Sequence, residues 1–332
     1  MKSRYPFPSF PNGWFFIATT QELPPGGVLP LRRFGQELVL FRGESGAPHL
    51  LDAHCPHLGA HLGHGGCVKG EDIQCPFHAW RFNGAGQCTG IPYSEKVPRQ
   101  AKLRSWPVRE ADGLILAWHH LEGQAPASEP LFPTKAHEGT WSAGQWRKWT
   151  VRTHVQEIVE NAVDVAHFVP IHRSAVPAKG EVSITEQGLL RSVIHSALDL
   201  QGNNDPASLL PSRSEVTAYG MGMNMSYNQA GPMELLILDC HTPIDEEHLE
   251  MRIWVRLKPL PSDEMTAAVE AQSTQHVAEN VERDIRIWEN KVYKSPPVLC
   301  AGDGPIGMAR RWCKQFYGGP VIQEVAGEEE AA

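Results

Sequence analysis

No run of about eighteen uninterrupted apolar residues occurs anywhere in the 332 residues, so the sequence offers no membrane-spanning helix of ordinary length. The short apolar stretch Trp14 to Ala18 follows no cluster of positive charge and is interrupted by Thr19 and Gln21, which makes it too short for a signal-peptide core. It reads as a β-strand. Excess positive charge is also missing: 30 Lys and Arg against 38 Asp and Glu leave a net charge of -8. Electrostatics therefore give no reason to expect a nucleic acid or an anionic membrane surface as partner. No Gly-x-Gly-x-x-Gly follows a strand, which removes the usual dinucleotide-binding turn for a nicotinamide or flavin. Internal repeats are absent. Cysteine is scarce and odd in number, at seven, and Cys67, Cys88, Cys240, Cys300 and Cys313 show no paired spacing. That pattern suits a reducing compartment, and a cytoplasmic location is expected.

The two remaining cysteines stand in a more telling arrangement. Cys55-Pro56-His57 is followed, after seventeen intervening residues, by Cys75-Pro76-Phe77-His78. CxH and CxxH together supply two thiolates and two imidazoles, the ligand set of a Rieske [2Fe-2S] cluster, in which cysteines hold one iron and histidines the other. A structural zinc site uses the same donors. Zinc fingers, however, pair cysteine with cysteine and histidine with histidine, whereas each box here supplies one of each. Glycines at 59, 63, 65 and 66 suit a backbone wrapped closely around a cluster. His61, His64 and Cys67 are surplus to the pattern and read as loop residues. Rieske proteins of respiratory chains carry extra cysteines where this chain has Ala60 and Phe77, so no disulfide can join the loops here. The match is to the ferredoxin and oxygenase branch.

Such a domain needs only about a hundred residues, so a second domain is expected. Up to about residue 120 the chain reads as short strands and turns: Leu38 to Phe41, Leu50 to Ala53, Gln74 and Cys75 into Arg81, the turn Asn83 to Gly86, and Leu114 to Trp118. Gly123 to Pro133 resembles a linker. Beyond it come one helix, a series of longer strands and another helix, an α+β arrangement. The division is expected at 1–122 and 123–332, with an acidic, disordered tail around Glu328 to Glu330.

Between Val155 and Phe168 the apolar residues recur at helical spacing, and Asn161, Asp164 and His167 fall three apart on the other side. Pro170 is expected to stop this helix near Phe168 and let the chain fold back, aiming His172 at the same point as His167. Two histidines need a carboxylate to complete the facial triad of a non-haem Fe(II) oxygenase. Asp284 is the candidate, because it sits in the apolar stripe Val277, Val281, Trp288, while Glu279, Glu282, Arg286 and Glu289 lie opposite. Hydrogen-bonded histidines and a salt-bridged aspartate are the alternative reading of the same residues.

With CxH and CxxH, and NxxDxxHxxxxH from Asn161 through Asp164 and His167 to His172, the chain resembles the oxygenase component of Rieske non-haem iron oxygenases over nearly its whole length. Within them it is most similar to the 3-ketosteroid 9α-hydroxylase oxygenases and Rieske-type cholesterol 7-desaturases. Gly90 to Tyr93, Ile287 to Lys291, Arg310 to Trp312 and Gln315 to Tyr317 carry that narrower likeness. The resemblance implies a small antiparallel β Rieske domain, a helix-grip (START-like) catalytic domain and a head-to-tail homotrimer. It implies a Rieske [2Fe-2S] cluster on Cys55, His57, Cys75 and His78, and mononuclear Fe(II) on His167, His172 and Asp284. Asp164, with Asn161 beside it in the motif, would join His167 to His78 of the partner subunit. Electrons would come from NAD(P)H through a separate flavin and iron-sulfur reductase or ferredoxin, for which Lys69, Arg81, Lys96, Arg99, Lys102 and Arg104 offer a basic surface.

The substrate is less legible. Met251, Ile253, Val255 and Leu257 alternate with polar or aromatic residues, and Met221, Met223 and Met225 alternate in another strand. A methionine face suits a bulky, irregular apolar ligand, and ordinary sheet packing explains the same residues. The expected activity is an EC 1.14-type oxidation of a steroid or sterol with O2, by hydroxylation, methyl oxidation or desaturation. Oxidative O- or N-demethylation of a small aromatic is an alternative, and an electron carrier or redox sensor without catalysis is another.

Overall fold

Short β-prone runs separated by glycine turns build the first of two units. The computed structural model describes residues 4–132, 139–199, 206–300 and 302–319. Contacts group Phe10–Phe132 with Thr242–Glu246. The strands of this unit are β1 (Gly13–Thr19), β2 (Val28–Arg33), β3 (Gln36–Arg42), β4 (Pro48–Asp52), β5 (Cys67–Lys69), β6 (Asp72–Gln74), β7 (Arg81–Phe82), β8 (Cys88–Gly90), β9 (Ser105–Trp106), β10 (Val108–Ala111) and β11 (Leu114–His119). They form three antiparallel sheets in the orders β2-β3-β4-β9, β1-β11-β10 and β5-β6-β7-β8. The expected strand from Gln74 through Cys75 into Arg81 is instead a hairpin, its loop carrying Pro76, Phe77 and His78. Asn83 makes the following turn, accepting at Oδ1 from the N–H groups of Ala85 (3.1 Å) and Gln87 (3.0 Å).

Arg42 and Glu110 tie β3 to β10. The guanidinium donates to both carboxylate oxygens at 2.6 and 2.8 Å, and the Thr20 hydroxyl adds a third bond at 2.6 Å. The hydrogen bond from Arg42 holds the Glu110 carboxyl below its ordinary value. Because the folded pKa is depressed, the pair's contribution is present above the unfolded value of about 4.3 and is lost as pH falls through the folded one. Glu110→Gln is therefore expected to cost about 1–3 kcal/mol at neutral pH and to flatten the acid limb of the unit's unfolding curve, followed by circular dichroism against pH.

The second unit comprises the residues up to Ser9, then Pro133–His241 and Glu247 onward. Its strands are β12 (Gln145–Val151), β13 (Lys179–Ile184), β14 (Leu190–Asp199), β15 (Leu209–Ala218), β16 (Met223–Ala230), β17 (Met233–Pro243) and β18 (Leu249–Leu257). They make one seven-stranded sheet in the order β12-β18-β17-β16-β15-β14-β13, in which β12–β18, β13–β14, β14–β15, β15–β16 and β16–β17 pair antiparallel. Among the described residues three helices accompany it: α1 (Val155–Asn161), α2 (Asp263–Asn290) and α3 (Ile306–Lys314). The architecture is α+β, as expected.

Helix α2 starts at Ser262, whose hydroxyl accepts from the Met265 N–H, with Asp263 and Glu264 in the first turn facing the positive helix end. Its buried residues, Thr266, Glu270, Thr274, Ala278, Asp284 and Trp288, form one stripe. Glu270 accepts from the Gly144 N–H at 3.2 Å, and Glu282 from the Trp149 indole at 3.4 Å, which fixes α2 beside β12.

The sequence division after residue 122 differs from the contact division at the N-terminus. Arg4 donates to the carbonyls of Arg152, Trp288 and Lys291, each at 2.8 Å, and Phe7 stacks among His154, Tyr293 and Tyr317. These partners all belong to the second unit. Pro133, at the end of the expected linker, and the acidic tail lie outside the described residues.

Candidate metal centres

The CxH and CxxH boxes fold into two loops of the same local form. In the first, the Gly59 N–H donates to the Cys55 carbonyl at 2.9 Å and the Cys55 N–H to Ala60 at 2.9 Å. In the second, the Ala79 N–H donates to Cys75 at 3.1 Å and the Cys75 N–H to Trp80 at 2.8 Å. Each loop turns through a positive φ four residues after its cysteine, +77° at Gly59 and +58° at Ala79. Glycine takes that conformation freely, whereas alanine strains at about 1–2 kcal/mol.

Both cysteines are 2 % exposed and sit in the core with Leu62, Ile73, Trp80 and Phe82. Burial pushes the Cys55 thiol up to about 11. The His57 and His78 rings lie 4.6 Å apart, and His57 stacks on Trp80, itself held by donation to the Tyr93 hydroxyl at 2.7 Å. Buried His57 Nδ1 has no hydrogen-bond partner among the described residues. Two buried thiols and an orphaned imidazole nitrogen fit a cluster ligand set. His61 Nδ1 accepts from the Gly63 N–H at 3.0 Å, and its Nε2 stands 3.7 Å from the Glu37 carboxylate. Cys67 is exposed.

The segment after β12 departs from the expected helix. Helix α1 ends at Asn161, not near Phe168, and a 3-10 turn at Ala166–Phe168 follows. Asp164 accounts for part of this, because its carboxylate accepts from the Ala166 N–H at 3.1 Å and so offers the backbone a local alternative to the helix. The chain then doubles back, the His172 N–H donating to Phe168 at 3.1 Å.

This fold-back brings His167, His172 and Asp284 together, with ligand atoms all within 4.8 Å of one another. His167 Nε2 lies 2.9 Å from His172 Nε2, which lies 3.4 Å from Asp284 Oδ2. Metal–nitrogen bonds of about 2.1 Å put neighbouring ligands about 3 Å apart, so the spacing suits one ion. Burial pushes Asp284 up to about 6 and, with His167 beside it, His172 down to about 4. Asn161 Nδ2 reaches Asp284 Oδ2 at 3.5 Å, and Asp164 Oδ2 lies 3.7 Å from His167 Nδ1. The neighbouring His167 lowers the Asp164 pKa. Asn280, one turn before Asp284, and Arg283, the residue next to it, also belong here, since both act on His172; they are joined to each other at 2.9 Å. The four-residue spacing of Asn280 from Asp284 along α2 was the available signal.

Beneath α1 lies a buried charged network. Lys291 donates to Glu157 at 2.5 Å, while Arg310 donates to Glu160 at 2.9 Å and lies over the Tyr293 ring. Tyr293 and Gln156 also bond Glu160, and Tyr317 bonds Gln156. Lys291, Arg310 and Tyr317, three of the residues behind the narrower family likeness, thus anchor the helix that leads into the metal segment. Arg310→Ala leaves Glu160 buried without its cation and is expected to cost about 3–5 kcal/mol. Thermal unfolding should report it, with the visible spectrum of the cluster unchanged before the transition.

Both parts of the chain match families of known proteins. Residues 13–107 match the Rieske [2Fe-2S] domain, and residues 117–317 match the 3-ketosteroid 9α-hydroxylase C-terminal domain. The chain belongs to the 3-ketosteroid 9α-hydroxylase family of Rieske oxygenases. As a member it is an oxidoreductase with a [2Fe-2S] cluster. It is 34% identical, over 93% of this chain and 81% of the relative, to an oxygenase component of 3-ketosteroid-9-alpha-monooxygenase from Rhodococcus rhodochrous. It is also 34% identical, over 96% and 71%, to a cholesterol 7-desaturase from Bombyx mori. Among solved structures, dicamba monooxygenase bound to dicamba aligns at TM-score 0.71 and 19% identity over 92% of this chain and 97% of that one. Pseudomonas putida CBB5 NdmA with caffeine aligns at 0.74 and 17% over 96% and 97%. At such identity these two attest the fold.

Proposed function

We propose that this Rieske oxygenase is the terminal oxygenase of a multicomponent system and that it hydroxylates, methyl-oxidises or desaturates a steroid or sterol. The observation that carries the reading is the meeting of His167, His172 and Asp284 in a chain that also holds the paired cluster boxes. Cys55 and Cys75 would hold one cluster iron and His57 and His78 the other, while His167, His172 and Asp284 would hold mononuclear Fe(II). When bound, the cluster supplies single electrons and Fe(II) the reduction of dioxygen.

The protein's own groups prepare that chemistry. Asn161 donates to Asp284 and orients its carboxylate. Asp164 Oδ2 stands 3.7 Å from His167 Nδ1 and favours a proton on that nitrogen, which leaves Nε2 of the ring free for a metal. Its side chain is 38 % exposed, so a second acceptor face remains for His78 of the partner subunit in a head-to-tail homotrimer. Oxygenase components work with a separate electron donor, here a flavin and iron-sulfur reductase or ferredoxin drawing on NAD(P)H. Lys69, Arg81, Lys96, Arg99, Lys102 and Arg104 are all exposed and would steer an acidic donor. The seven cysteines are free, which suits the cytoplasm.

The substrate class follows the relatives, which are named for 3-ketosteroids and cholesterol. Incubation with a surrogate reductase and a panel of steroids, sterols and methoxyarenes, read by mass spectrometry, should give an oxygenated or desaturated steroid or sterol. Products from methoxyarenes alone would contradict the reading.

A further inference from the structure

The second unit's sheet buries an unusual set of polar groups on one face. In β14, β15 and β16, Ser192 pairs with Val216 and Val216 with Ser226, while Asn224 of β16 pairs with Asp239 of β17. Directly paired residues share a face, and so do alternate residues along a strand. Ser192, Asn224, Asn228 and Asp239 therefore look the same way, and His241, two residues beyond Asp239, joins them. Met223 and Met225, paired with Cys240 and Leu238, look the other way. The polar face is also the one that meets the metal segment. Gly180 of β13 pairs with Ile194, two residues from Ser192, and a Cβ on Gly180 would stand 2.6 Å from Cγ1 of Val165, the neighbour of Asp164.

Ser192 Oγ, Asn224 Oδ1, Asn228 Nδ2, Asp239 Oδ1 and both nitrogens of His241 have no hydrogen-bond partner among the described residues. Ser192 is 2% exposed, Asn224 5% and His241 0%. Native proteins leave few buried polar groups unsatisfied, and a concentration on one face signals a missing partner. The nearest relation within the set is that of His241 Nδ1 to Asp239 Oδ1, at 3.5 Å. The apolar Leu190, Ile194 and Ile237 share the face, which excludes a highly polar ligand.

We infer that His241 and Asp239, with Asn224 and Ser192, bind the oxygen substituent, hydroxyl or ketone, of an otherwise apolar steroid or sterol. This rests on the steroid or sterol reading above and adds the group by which the substrate is recognised. With its Nδ1–H turned to the Asp239 carboxylate, neutral His241 presents the Nε2 lone pair to a hydroxyl; as an imidazolium it donates Nε2–H to a ketone. Either way the oxygen satisfies groups that an unsubstituted skeleton leaves unpaired.

Equilibrium dialysis of the holoenzyme against androstane, androstanol and androstanone separates these cases. Wild type is expected to hold androstanol or androstanone about tenfold more tightly than androstane, equivalent to about 1.4 kcal/mol. A preference for the alcohol assigns His241 as acceptor, and one for the ketone assigns it as donor. His241→Leu should abolish the preference while holding androstane at least as tightly, and His241→Gln should keep it. If His241→Leu does not fold, Asn224→Leu carries the test with the same expected loss. A preference undiminished in a folded Leu variant would overturn the inference. Failure of wild type to bind any of the three would overturn the steroid reading and the inference with it.

Discussion

Asp164→Ala protein is expected to retain both metal centres and to lose turnover by about 100-fold or more. Among the described residues, the backbone bonds to the Asp164 side chain are local ones, from the N–H groups of Ala166 and His167, which other loop geometry can replace. Its other relation is to His167, whose Nδ1 stands 3.7 Å away and whose proximity lowers the carboxyl's pKa. An anion there orients the ring and, on the proposed reading, links it to His78 of the partner subunit. Iron and sulfide content and the visible spectrum should match wild type while product formation collapses. Normal coupled product formation in the mutant would show that Asp164 is an ordinary surface residue.

His167→Ala and Asp284→Ala should each lower iron from about three per chain to about two, the cluster irons alone. The loss is expected to be steep because, among the described residues, the three ligand atoms converge without a fourth His, Cys, Asp or Glu in the same group. Asp284→Ala carries a second, informative sign. Burial makes ionised Asp284 costly, so in metal-free protein the alanine variant should be no less stable than wild type at neutral pH. About two irons per chain in wild type, with no loss on either substitution, would leave the chain as an electron carrier with no second centre.

The local motifs were readable because each is contiguous. Both cluster boxes lie within loops whose hydrogen bonds close over five or six residues, so spacing alone reports them. His167 and His172 were readable through the fold-back, although the intervening geometry was not: Asp164 ends the helix early by bonding its own backbone, a competition that apolar periodicity does not register. Asp284 was visible as an acid in an apolar stripe, and it is buried as that position requires. Partners distant in sequence were not visible. Glu157 and Glu160 look like solvated residues of a short helix until Lys291 and Arg310, 134 and 150 residues away, are brought to them. Arg4 was likewise unreadable, because its acceptors are backbone carbonyls. The methionine alternation gave a strand but not the direction of its faces; Met223 and Met225 turn away from the face that meets Val165, so they serve as sheet packing.

A single-turnover experiment tests the central claim most directly. The holoenzyme is chemically reduced, freed of reductant and exposed to O2 with a steroid or sterol in the absence of any reductase. The account predicts reoxidation of the cluster together with an alcohol or alkene product in amounts comparable to the enzyme, and no product from His167→Ala protein. Reoxidation of the cluster at the same rate in both proteins, with no product from either, would contradict it.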